Sequence, residues 1–414
     1  MRNVPLMSLA EISELVQYGY TAPASDTEIG PKFLRITDIV PPQIDWNKVP
    51  YCEIDEKNFT RFSLTQGDIV IARTGATVGY AKLIRNHEPS VFASYLVRVR
   101  VDPEKADSGY VGRIIESDVY KRFVLSRLGG AAQPNANAKV LSSFRLPIPE
   151  RHVQTRIASI LSAYDDLIEN NRRRIQLLEQ VAKLLYKEWF IRLRFPGHEH
   201  VKIKDDIPDG WERKKISKVC ETIGGGTPST RISEYWDGDI PWVVPSDVTK
   251  SDSLVLLDTE RKITEKGLRK SSAKIVPCET ILMTSRASVG FFALMDFEVC
   301  TNQGFINIIP HKDELRMYLL FNLMSRVAEI RSNAKGTTYP EISKGRFRGM
   351  NVVVPSKTLL GKFSKISTDV IRQVRYLKRS ILKLESARDL LLPRLINGEV
   401  TASPPTAPPA QMKS

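Results

Sequence analysis

The sequence predicts an α+β protein in which two pseudo-symmetric globular α/β domains are separated by two long antiparallel coiled-coil helices. Three observations predict this architecture. A long apolar stripe with helical spacing lies between residues 150 and 190, and a second stripe with the same spacing lies near the C-terminus. The strand-rich region before the first stripe also returns before the second. Duplication of this kind indicates one structural unit used twice.

The first stripe has apolar positions that alternate in steps of four and three. This spacing is typical of a helix with a coiled-coil seam rather than of an ordinary surface helix. Its only polar member is Asn171, and a single Asn in an apolar seam commonly fixes the register or the number of partners. The predicted seam positions are Ile157, Leu161, Tyr164, Ile168, Asn171, Ile175, Leu178, Ala182, Leu185 and Trp189.

The second stripe repeats the first, each position lying as far after its counterpart as Leu384 lies after Leu178. Only Ser367 and Arg388 are polar. Because Pro393 has no match in the first copy, we expect the second helix to stop or kink near Leu392. The second set of seam positions is Phe363, Ser367, Val370, Val374, Leu377, Ile381, Leu384, Arg388, Leu391 and Leu395.

The region before the first helix contains short β-like runs separated by glycine and proline turns. Strands are predicted at residues 33–36, 68–72 and 95–100. One helix is predicted over residues 110–128, where apolar side chains suit a single face and the pair Gly129-Gly130 follows. A compact α+β domain dominated by strands is therefore expected.

The same order of features returns after Trp211 with small changes of spacing, as short loop insertions produce. The matched segments are residues 9–12 with 216–219, Asp38 with Asp247, 76–79 with 287–290, and 133–135 with 339–341. The predicted organisation is a globular domain over 1–148, a helix over 149–195, a globular domain over 196–354, a helix over 355–398 and a disordered proline-rich tail over 399–414.

Composition indicates a polyanionic partner. The 414 residues carry a formal net charge of +14, which favours nucleic acid. The four cysteines are dispersed without a Cys-x-x-Cys pair, so that neither a zinc knuckle nor a disulfide framework is predicted. A cationic-then-apolar leader is absent from the sequence, and apolar runs are too short to span a membrane. We therefore expect a cytoplasmic protein.

Candidate catalytic and metal-binding groups are weak. Residues 224–226 are three glycines, but a turn rather than a helix is predicted after them, which disfavours a phosphate-binding loop. His198 and His200 have no third ligand nearby, so a solvated linker is favoured and no metal site is predicted. An aminomethyltransferase requires an Asn/Asp-Pro-Pro-aromatic tetrad. The proline pair at 41–42 follows Val40, and the remaining pairs lie in the tail.

One alternative function is a stand-alone magnesium-dependent nuclease that uses Asp247, Glu260 and Lys262, which form an Asp followed by Glu-x-Lys. Such matches arise often in a charged protein. The matched residue Asp38 is not followed by Glu-x-Lys, which favours a turn or loop role for Asp247. A second alternative is a coiled-coil scaffold that does not bind DNA.

Signals for nucleic-acid binding are distributed over predicted loops. Arginine beside Ser, Thr and Gly suits phosphate approach and bidentate recognition of guanine edges. Each such loop is also explained as a solvated hairpin tip, but equivalent placement in both copies favours binding. Three arginines at 172–174 lie on the first predicted helix. Three roles are open for them: contact with phosphates, contact with acidic residues of a partner, or a solvated helix face. The candidate DNA-binding residues are Arg35, Arg73, Thr74, Thr77, Lys82, Arg231, Arg286, Ser288, Lys335 and Thr337.

Several strings in the helices and linkers resemble the specificity subunit of type I restriction–modification systems. The resemblance covers essentially the whole chain in domain order, although the globular domains match only in general pattern. The matching strings are Pro147-Ile148-Pro149, Gln154-x-x-Ile157-Ala158, Asn170-Asn171-Arg172-Arg173-Arg174-Ile175, Leu178-Glu179, Glu188-Trp189-Phe190, Phe195-Pro196-Gly197, Pro208-Asp209-Gly210-Trp211-Glu212 and Leu391-Leu392-Pro393-Arg394-Leu395-Ile396-x-Gly398-Glu399.

The resemblance implies that each globular domain is a target-recognition domain for one half of an asymmetric bipartite DNA site. The paired helices would set the gap between the half-sites and dock two methyltransferase (modification) subunits, which carry S-adenosylmethionine. Two translocase–nuclease (restriction) subunits would complete the enzyme. The chain itself would be non-catalytic and hold no cofactor. Apolar residues beside the seam suggest the docking face, namely Ile160, Leu177, Val181 and Leu184.

Overall fold

The computed structural model describes residues 4–85, 88–128, 134–204, 206–336, 339–396 and 399. The chain divides into two compact units. Unit 1 comprises Met1–Leu167 with Leu384–Ser414, and unit 2 comprises Ile168–Lys383. Each unit therefore contains part of both predicted long helices.

Unit 1 combines short strands with short helices and the start of the first long helix, α6. Its strands are β1 (Leu6–Ser8), β2 (Ser13–Tyr18), β3 (Lys32–Leu34), β4 (Ile69–Ala72), β5 (Ala81–Leu83), β6 (Ser90–Phe92), β7 (Leu96–Val101) and β8 (Arg145–Pro147). The helices are α1 (Ile36–Ile39), α2 (Glu56–Phe62), α3 (Ser108–Ile115), α4 (Asp118–Ser126), α5 (Ala138–Ser142) and α6 (Arg151–Tyr186), the last of which continues into unit 2.

Unit 2 also combines short strands with short helices and one end of a long helix. Its strands are β9 (Ile203–Lys204), β10 (Ile207–Pro208), β11 (Glu212–Lys215), β12 (Cys220–Gly224), β13 (Trp236–Val243), β14 (Arg261–Ile263), β15 (Ile281–Thr284), β16 (Phe292–Ala293), β17 (Cys300–Thr301), β18 (Phe305–Pro310) and β19 (Asn351–Val354). The helices are α7 (Pro245–Thr249), α8 (Glu265–Arg269), α9 (Glu314–Ser325), α10 (Val327–Ser332), α11 (Lys344–Gly349) and α12 (Lys357–Ile396), the last of which ends in unit 1.

The sheet topology confirms the predicted duplication. Unit 1 has a four-stranded antiparallel sheet in the order β2-β7-β4-β5, and unit 2 has one in the order β12-β18-β15-β16. Each unit also has a parallel pair, β3 with β6 and β13 with β17. In each unit an early strand pairs antiparallel with a later strand of the same unit, β1 with β8 before α6 and β11 with β19 before α12. The central strands β4 and β15 are buried along their full length.

Local capping is also duplicated. Asp38 accepts a hydrogen bond from the Arg35 amide at 2.8 Å at the start of α1, and Asp247 accepts one from the Val244 amide at 2.8 Å at the start of α7. A carboxylate at this position satisfies an amide that the first turn of a helix leaves without a partner. Asp38 and Asp247 therefore match in the sequence because each caps the equivalent short helix of its own unit.

The long helices pack through side chains that the stripes predicted. Within unit 2, Asn171 of α6 lies 3.4 Å from the Ser380 hydroxyl of α12, and the rings of Trp189 and Phe363 lie 6.1 Å apart. Because higher numbers on α6 meet lower numbers on α12, these segments are antiparallel. Trp189 belongs to a π-helical turn, Lys187–Ile191, that directly follows α6.

The core of unit 1 includes residues from both ends of the chain. Leu9 and Ile12 near the N-terminus and Ile157 and Leu161 of α6 belong to the same buried cluster as Leu395 of α12, which is 2% exposed. The end of α12 thus completes the hydrophobic core of unit 1.

One local prediction was wrong. The helix expected over residues 110–128 is divided into α3 and α4, because Ser117 has an extended backbone and starts a new helix. The second long helix was expected to stop or kink near Leu392, and it does not stop there, since α12 continues through Pro393 to Ile396. Residues 129–130 and almost all of the predicted tail lie outside the described residues. No helix in the described part of the chain is long and apolar enough to cross a membrane.

Candidate nucleic-acid interface

In unit 1 three of the predicted DNA-binding residues lie in the first of two adjacent loops, here called loop pair 1 (residues 73–79 and 134–136). The first loop follows β4, and the Ala136 amide of the second donates to the Arg73 carbonyl at 2.8 Å. Gly79 ends the first loop with φ of 83°, a backbone conformation that favours glycine. Loop pair 1 contains Arg73, Thr74 and Thr77, all of which are half-buried.

The guanidinium of Arg73 is held by two residues that the sequence analysis missed. It lies over the Tyr18 ring at 4.8 Å from the ring centre, and its Nη2 donates to the Asn135 side-chain oxygen at 3.3 Å. Tyr95 is also adjacent, because its carbonyl accepts a hydrogen bond from the Arg73 amide at 3.0 Å and its side chain is 60% exposed. Exposed aromatic rings beside arginine suit stacking on bases.

Unit 2 repeats this arrangement in loop pair 2 (residues 285–290 and 339–342). The Ile342 amide donates to the Ser285 carbonyl at 3.0 Å, as Ala136 does to Arg73, and Gly290 has φ of 85°. Arg286 and Ser288 are exposed in its first loop. The backbone of Lys335 forms hydrogen bonds with the backbone of Glu341, which lies in the second loop. The predicted Thr337 lies outside the described residues.

The two loop pairs differ in their side-chain chemistry. Arg286 makes a bidentate ion pair with Glu341, with N–O distances of 2.9 and 3.1 Å. In loop pair 1 the corresponding partner is the neutral Asn135. The guanidinium of Arg286 is therefore occupied by a carboxylate, whereas among the described residues the side-chain acceptor for Arg73 is the neutral amide of Asn135.

Three further candidates lie on other elements. Arg35 precedes α1 and pairs with Asp38 at 3.1 Å, a hydrogen bond that raises the pKa of Arg35. Lys82 lies on β5 and donates to the Pro42 carbonyl at 2.8 Å. Arg231 is exposed. These residues belong to neither loop pair.

Most predicted seam positions on α6 are buried, and the rest are half-buried. The buried positions are Ile157, Leu161, Ile168, Asn171, Ile175, Ala182 and Trp189. The half-buried positions are Tyr164, Leu178 and Leu185. On α12 the buried positions are Phe363, Ser367, Val374, Leu377, Ile381 and Leu395, and the half-buried positions are Val370, Leu384, Arg388 and Leu391. Val370 is followed by Ile371, which is only 1% exposed and is therefore the more buried of the two side chains.

Two carboxylates on α6 are also buried, and the stripe did not predict them. Asp165 binds arginines of unit 1, including Arg388 at 2.7 Å. Glu179 in unit 2 accepts hydrogen bonds from the Ser253 hydroxyl at 2.7 Å and the Leu254 amide at 2.8 Å. Burial raises the pKa of Glu179. These carboxylates attach the helix to the globular part of each unit.

The predicted docking face is exposed over most of its length. Leu177, Val181 and Leu184 are 52%, 53% and 57% exposed, and their spacing of four and three places them along one side of α6. Ile160 differs, since it is half-buried and packs against the core of unit 1. The exposed apolar face is therefore formed by Leu177, Val181 and Leu184 without Ile160.

The nuclease and nucleotide-loop residues have structural roles. Asp247 caps α7, and burial raises the pKa of its carboxyl group. Lys262 pairs with Asp258 at 3.5 Å. At Gly225 a side chain would collide with the backbone of residues 301 and 302, which explains the glycine. In the described part of the chain, no group of three or more His, Cys, Asp or Glu side chains is placed to hold a metal ion.

Comparison with known proteins decides the family. The family model described as the type I restriction modification DNA specificity domain matches residues 6–180 and again residues 208–386. The chain belongs to the specificity subunits of type I restriction–modification systems. The two matches contain one loop pair each, so that the duplication in this specificity subunit coincides with the two matches of the family model.

Comparisons with individual proteins support this family assignment. Over 413 residues the specificity subunit is 24% identical to the putative type I restriction enzyme MjaX specificity subunit of Methanocaldococcus jannaschii, covering 95% of this chain and 92% of the relative. It is 36% identical over 187 residues to the MjaIX specificity subunit of that organism, a match that spans only 43% of either protein. The crystal structure of the type I S subunit from M. genitalium has a similar fold, with a TM-score of 0.59, 15% identity and coverage of 95% and 97%.

Proposed function

We propose that this chain is the non-catalytic DNA-recognition subunit of a type I restriction–modification enzyme. Each unit recognises one half of an asymmetric bipartite site, and the paired helices set the length of the spacer. The observation that carries the proposal is the repeat of loop pair 1 in loop pair 2, with matching backbone hydrogen bonds and different side chains.

A repeated backbone with different side chains is what an asymmetric site requires. Base edges are distinguished by donors, acceptors and apolar groups in the grooves, so that two loops of one geometry select different bases when their side chains differ. Arg73 beside Asn135 and Arg286 paired with Glu341 are such a difference. The half-sites are therefore expected to have unlike sequences.

Charge supports the DNA partner. A net charge of +14 attracts a polyanion, and neutralising phosphates releases counterions, which makes binding weaken as salt increases. Lys82 and Arg231 lie outside the loop pairs and suit phosphate contacts, which position the protein without selecting a sequence, whereas the guanidinium of Arg35 is already paired with Asp38.

The protein partners are two methyltransferase (modification) subunits that hold S-adenosylmethionine, joined by two translocase–nuclease (restriction) subunits in the cytoplasm. The docking face proposed for the methyltransferases is the exposed stripe of Leu177, Val181 and Leu184 on α6. Exposed apolar side chains in a row are typical of protein interfaces. The chemistry of base modification thus belongs to the partners.

The test is to map N6-methyladenine across the genome of cells that express this chain with the modification subunit of its own system. The expected result is one asymmetric motif with two short parts and a gap of fixed length. Cells with the modification subunit alone are the control and are expected to lack the motif. A contiguous motif, or methylation that is the same without this chain, would contradict the proposal.

A further inference from the structure

We propose that Arg73 recognises a guanine in the half-site of unit 1, and that Tyr18 and Asn135 are positioning residues for its guanidinium. The inference rests on the proposed function and assigns one base contact within it. It also predicts that the matching position in unit 2 has no equivalent guanine contact through Arg286.

The guanidinium of Arg73 is restrained on two sides. Its face lies 4.8 Å from the centre of the Tyr18 ring, and one edge donates to Asn135 at 3.3 Å. Its Nε is buried and has no hydrogen-bond partner among the described residues. A guanidinium held in this way loses little conformational entropy on binding, because its plane is already oriented in the protein without DNA.

The positioning residues are themselves fixed. The Tyr18 hydroxyl accepts a hydrogen bond from the Ala138 amide at 2.9 Å, which holds the ring against the start of α5. Asn135 forms a backbone bridge with Thr74, the residue after Arg73. The orientation of Arg73 therefore depends on three separate elements of unit 1: β2, the loop after β4 and the segment before α5.

Arginine has the donor geometry that a guanine contact requires. Guanine presents N7 and O6 as two adjacent acceptors in the major groove, which match the paired donors of arginine. Lysine supplies a point charge that binds phosphate but does not form the planar pair of hydrogen bonds. A restrained guanidinium is thus suited to one planar acceptor pair.

Loop pair 2 provides the contrast. Arg286 donates through Nε and Nη2 to Glu341, with distances of 2.9–3.1 Å. Its backbone position is one residue later than that of Arg73, because the carbonyls that match are those of Arg73 and Ser285. The same region of unit 2 therefore presents an arginine whose Nε and Nη2 donors are already used by Glu341.

The experiment compares methylation of a library of randomised bipartite sites by the complex of this chain with its modification subunits. Variants are Arg73→Lys, Asn135→Glu, Tyr18→Leu and Tyr18→Phe. Arg286→Lys in unit 2 is the matched control. The readout is the base preference at every position of both half-sites, together with the salt dependence of DNA binding.

The expected result is that Arg73→Lys lowers the preference for guanine at one position of one half-site by about 5- to 150-fold and leaves the other half-site unchanged. Asn135→Glu is expected to do the same, because it creates the ion pair seen at Arg286. Tyr18→Leu is expected to weaken the preference, whereas Tyr18→Phe is expected to weaken it less, because it keeps the ring and loses only the hydrogen bond from the Ala138 amide. The control Arg286→Lys is expected to leave this half-site as it is in the wild type.

An unchanged base profile in Arg73→Lys would show a phosphate contact and overturn the inference, because lysine keeps the charge that binds phosphate but not the planar pair of donors. A wild-type half-site without a required guanine would overturn it as well. If the wild-type profile lacks two separated parts, the proposed function fails first. The two failures are therefore distinguishable within one experiment.

Discussion

The Asp165 carboxylate of α6 accepts a hydrogen bond from the Arg388 guanidinium of α12 at 2.7 Å, which ties the two long helices together inside unit 1. Arg113 of α3 donates to the other carboxylate oxygen, and Arg85 lies 3.0 Å from it. Asp165 is 6% exposed. The polar exception at Arg388 in the second stripe is therefore explained by a buried carboxylate on the first helix.

Removing this carboxylate is expected to destabilise unit 1. Asp165→Ala leaves the buried Arg113 without its main counter-charge, and breaking a buried ion pair from one side costs about 3–5 kcal/mol of the free energy of unfolding. Urea denaturation followed by circular dichroism measures the loss. Asp166→Ala is the control, since Asp166 is exposed and its removal is expected to change stability by less than about 0.5 kcal/mol. Equal effects of both substitutions would refute the role of Asp165.

Glu179 provides a test of buried hydrogen bonding. Glu179→Gln keeps an oxygen that accepts from Ser253 and Leu254, whereas Glu179→Ala leaves both donors without an acceptor. We expect the alanine variant to be less stable than the glutamine variant by about 1–3 kcal/mol, measured as the difference in free energy of unfolding. Identical stability of the two variants would show that these hydrogen bonds contribute nothing.

The same residue predicts a pH dependence. Because burial raises the pKa of Glu179 above 4.5, the folded state favours the protonated carboxyl. Its contribution to stability is complete below the ordinary pKa and is lost as the pH rises through the raised pKa. Glutamine does not titrate. The stability of the wild type relative to Glu179→Gln is therefore expected to fall between pH 4.5 and the raised pKa, and thermal unfolding at a series of pH values measures this.

The glycines of the loop pairs predict a ranking of stability. A methyl group at Gly290 would lie 2.9 Å from Val327, one at Gly79 would lie 3.2 Å from Val124, and one at Gly75 would meet no atom within 4 Å. All three have positive φ, so that alanine costs about 1 kcal/mol at each from backbone strain alone. Crowding adds about 1–3 kcal/mol at Gly290. The melting temperature should therefore fall most in Gly290→Ala and least in Gly75→Ala; the reverse order would contradict the packing described.

The apolar face of α6 predicts a loss of assembly without a loss of folding. Leu177→Lys and Leu184→Lys place charges in the proposed methyltransferase interface, where desolvating an unpaired charge is costly. Co-purification with a tagged modification subunit is expected to be abolished, while the melting temperature stays within a few degrees of the wild type. Gln176→Lys is the control and should still co-purify, because Gln176 is exposed and lies about 100° around the helix from Leu177. Intact assembly of both leucine variants would exclude this face.

Periodicity predicted the helices because the information is local. The spacing of Ile157, Leu161 and Ile168 is visible in any short window of the sequence, and the structure buries all three. Periodicity did not show the break at Ser117, since apolar spacing continues across it. A Ser-Asp start signal was present there, with Ser117 preceding the first acidic residue of α4.

The contacts of the candidate interface were harder to predict, because they join residues that are distant in sequence. Tyr18 and Asn135 meet Arg73 only when β2, the loop after β4 and the segment before α5 are folded together. Asp165 does not belong to the predicted stripe, and its burial depends on arginine partners that lie far away in the sequence. The repeat was the part of the interface that sequence comparison within the chain did reveal, at Gly79 and Gly290.

The position of Leu395 in the core of unit 1 has a consequence for synthesis on the ribosome. Unit 2 is one uninterrupted segment, Ile168–Lys383, and is complete before the last residues emerge. Unit 1 begins first and finishes last, since it waits for the end of α12 to close its interior. A nonsense codon after Lys383 would thus release a polypeptide whose unit 2 is whole and whose unit 1 has an open apolar groove, a ready target for quality-control proteases.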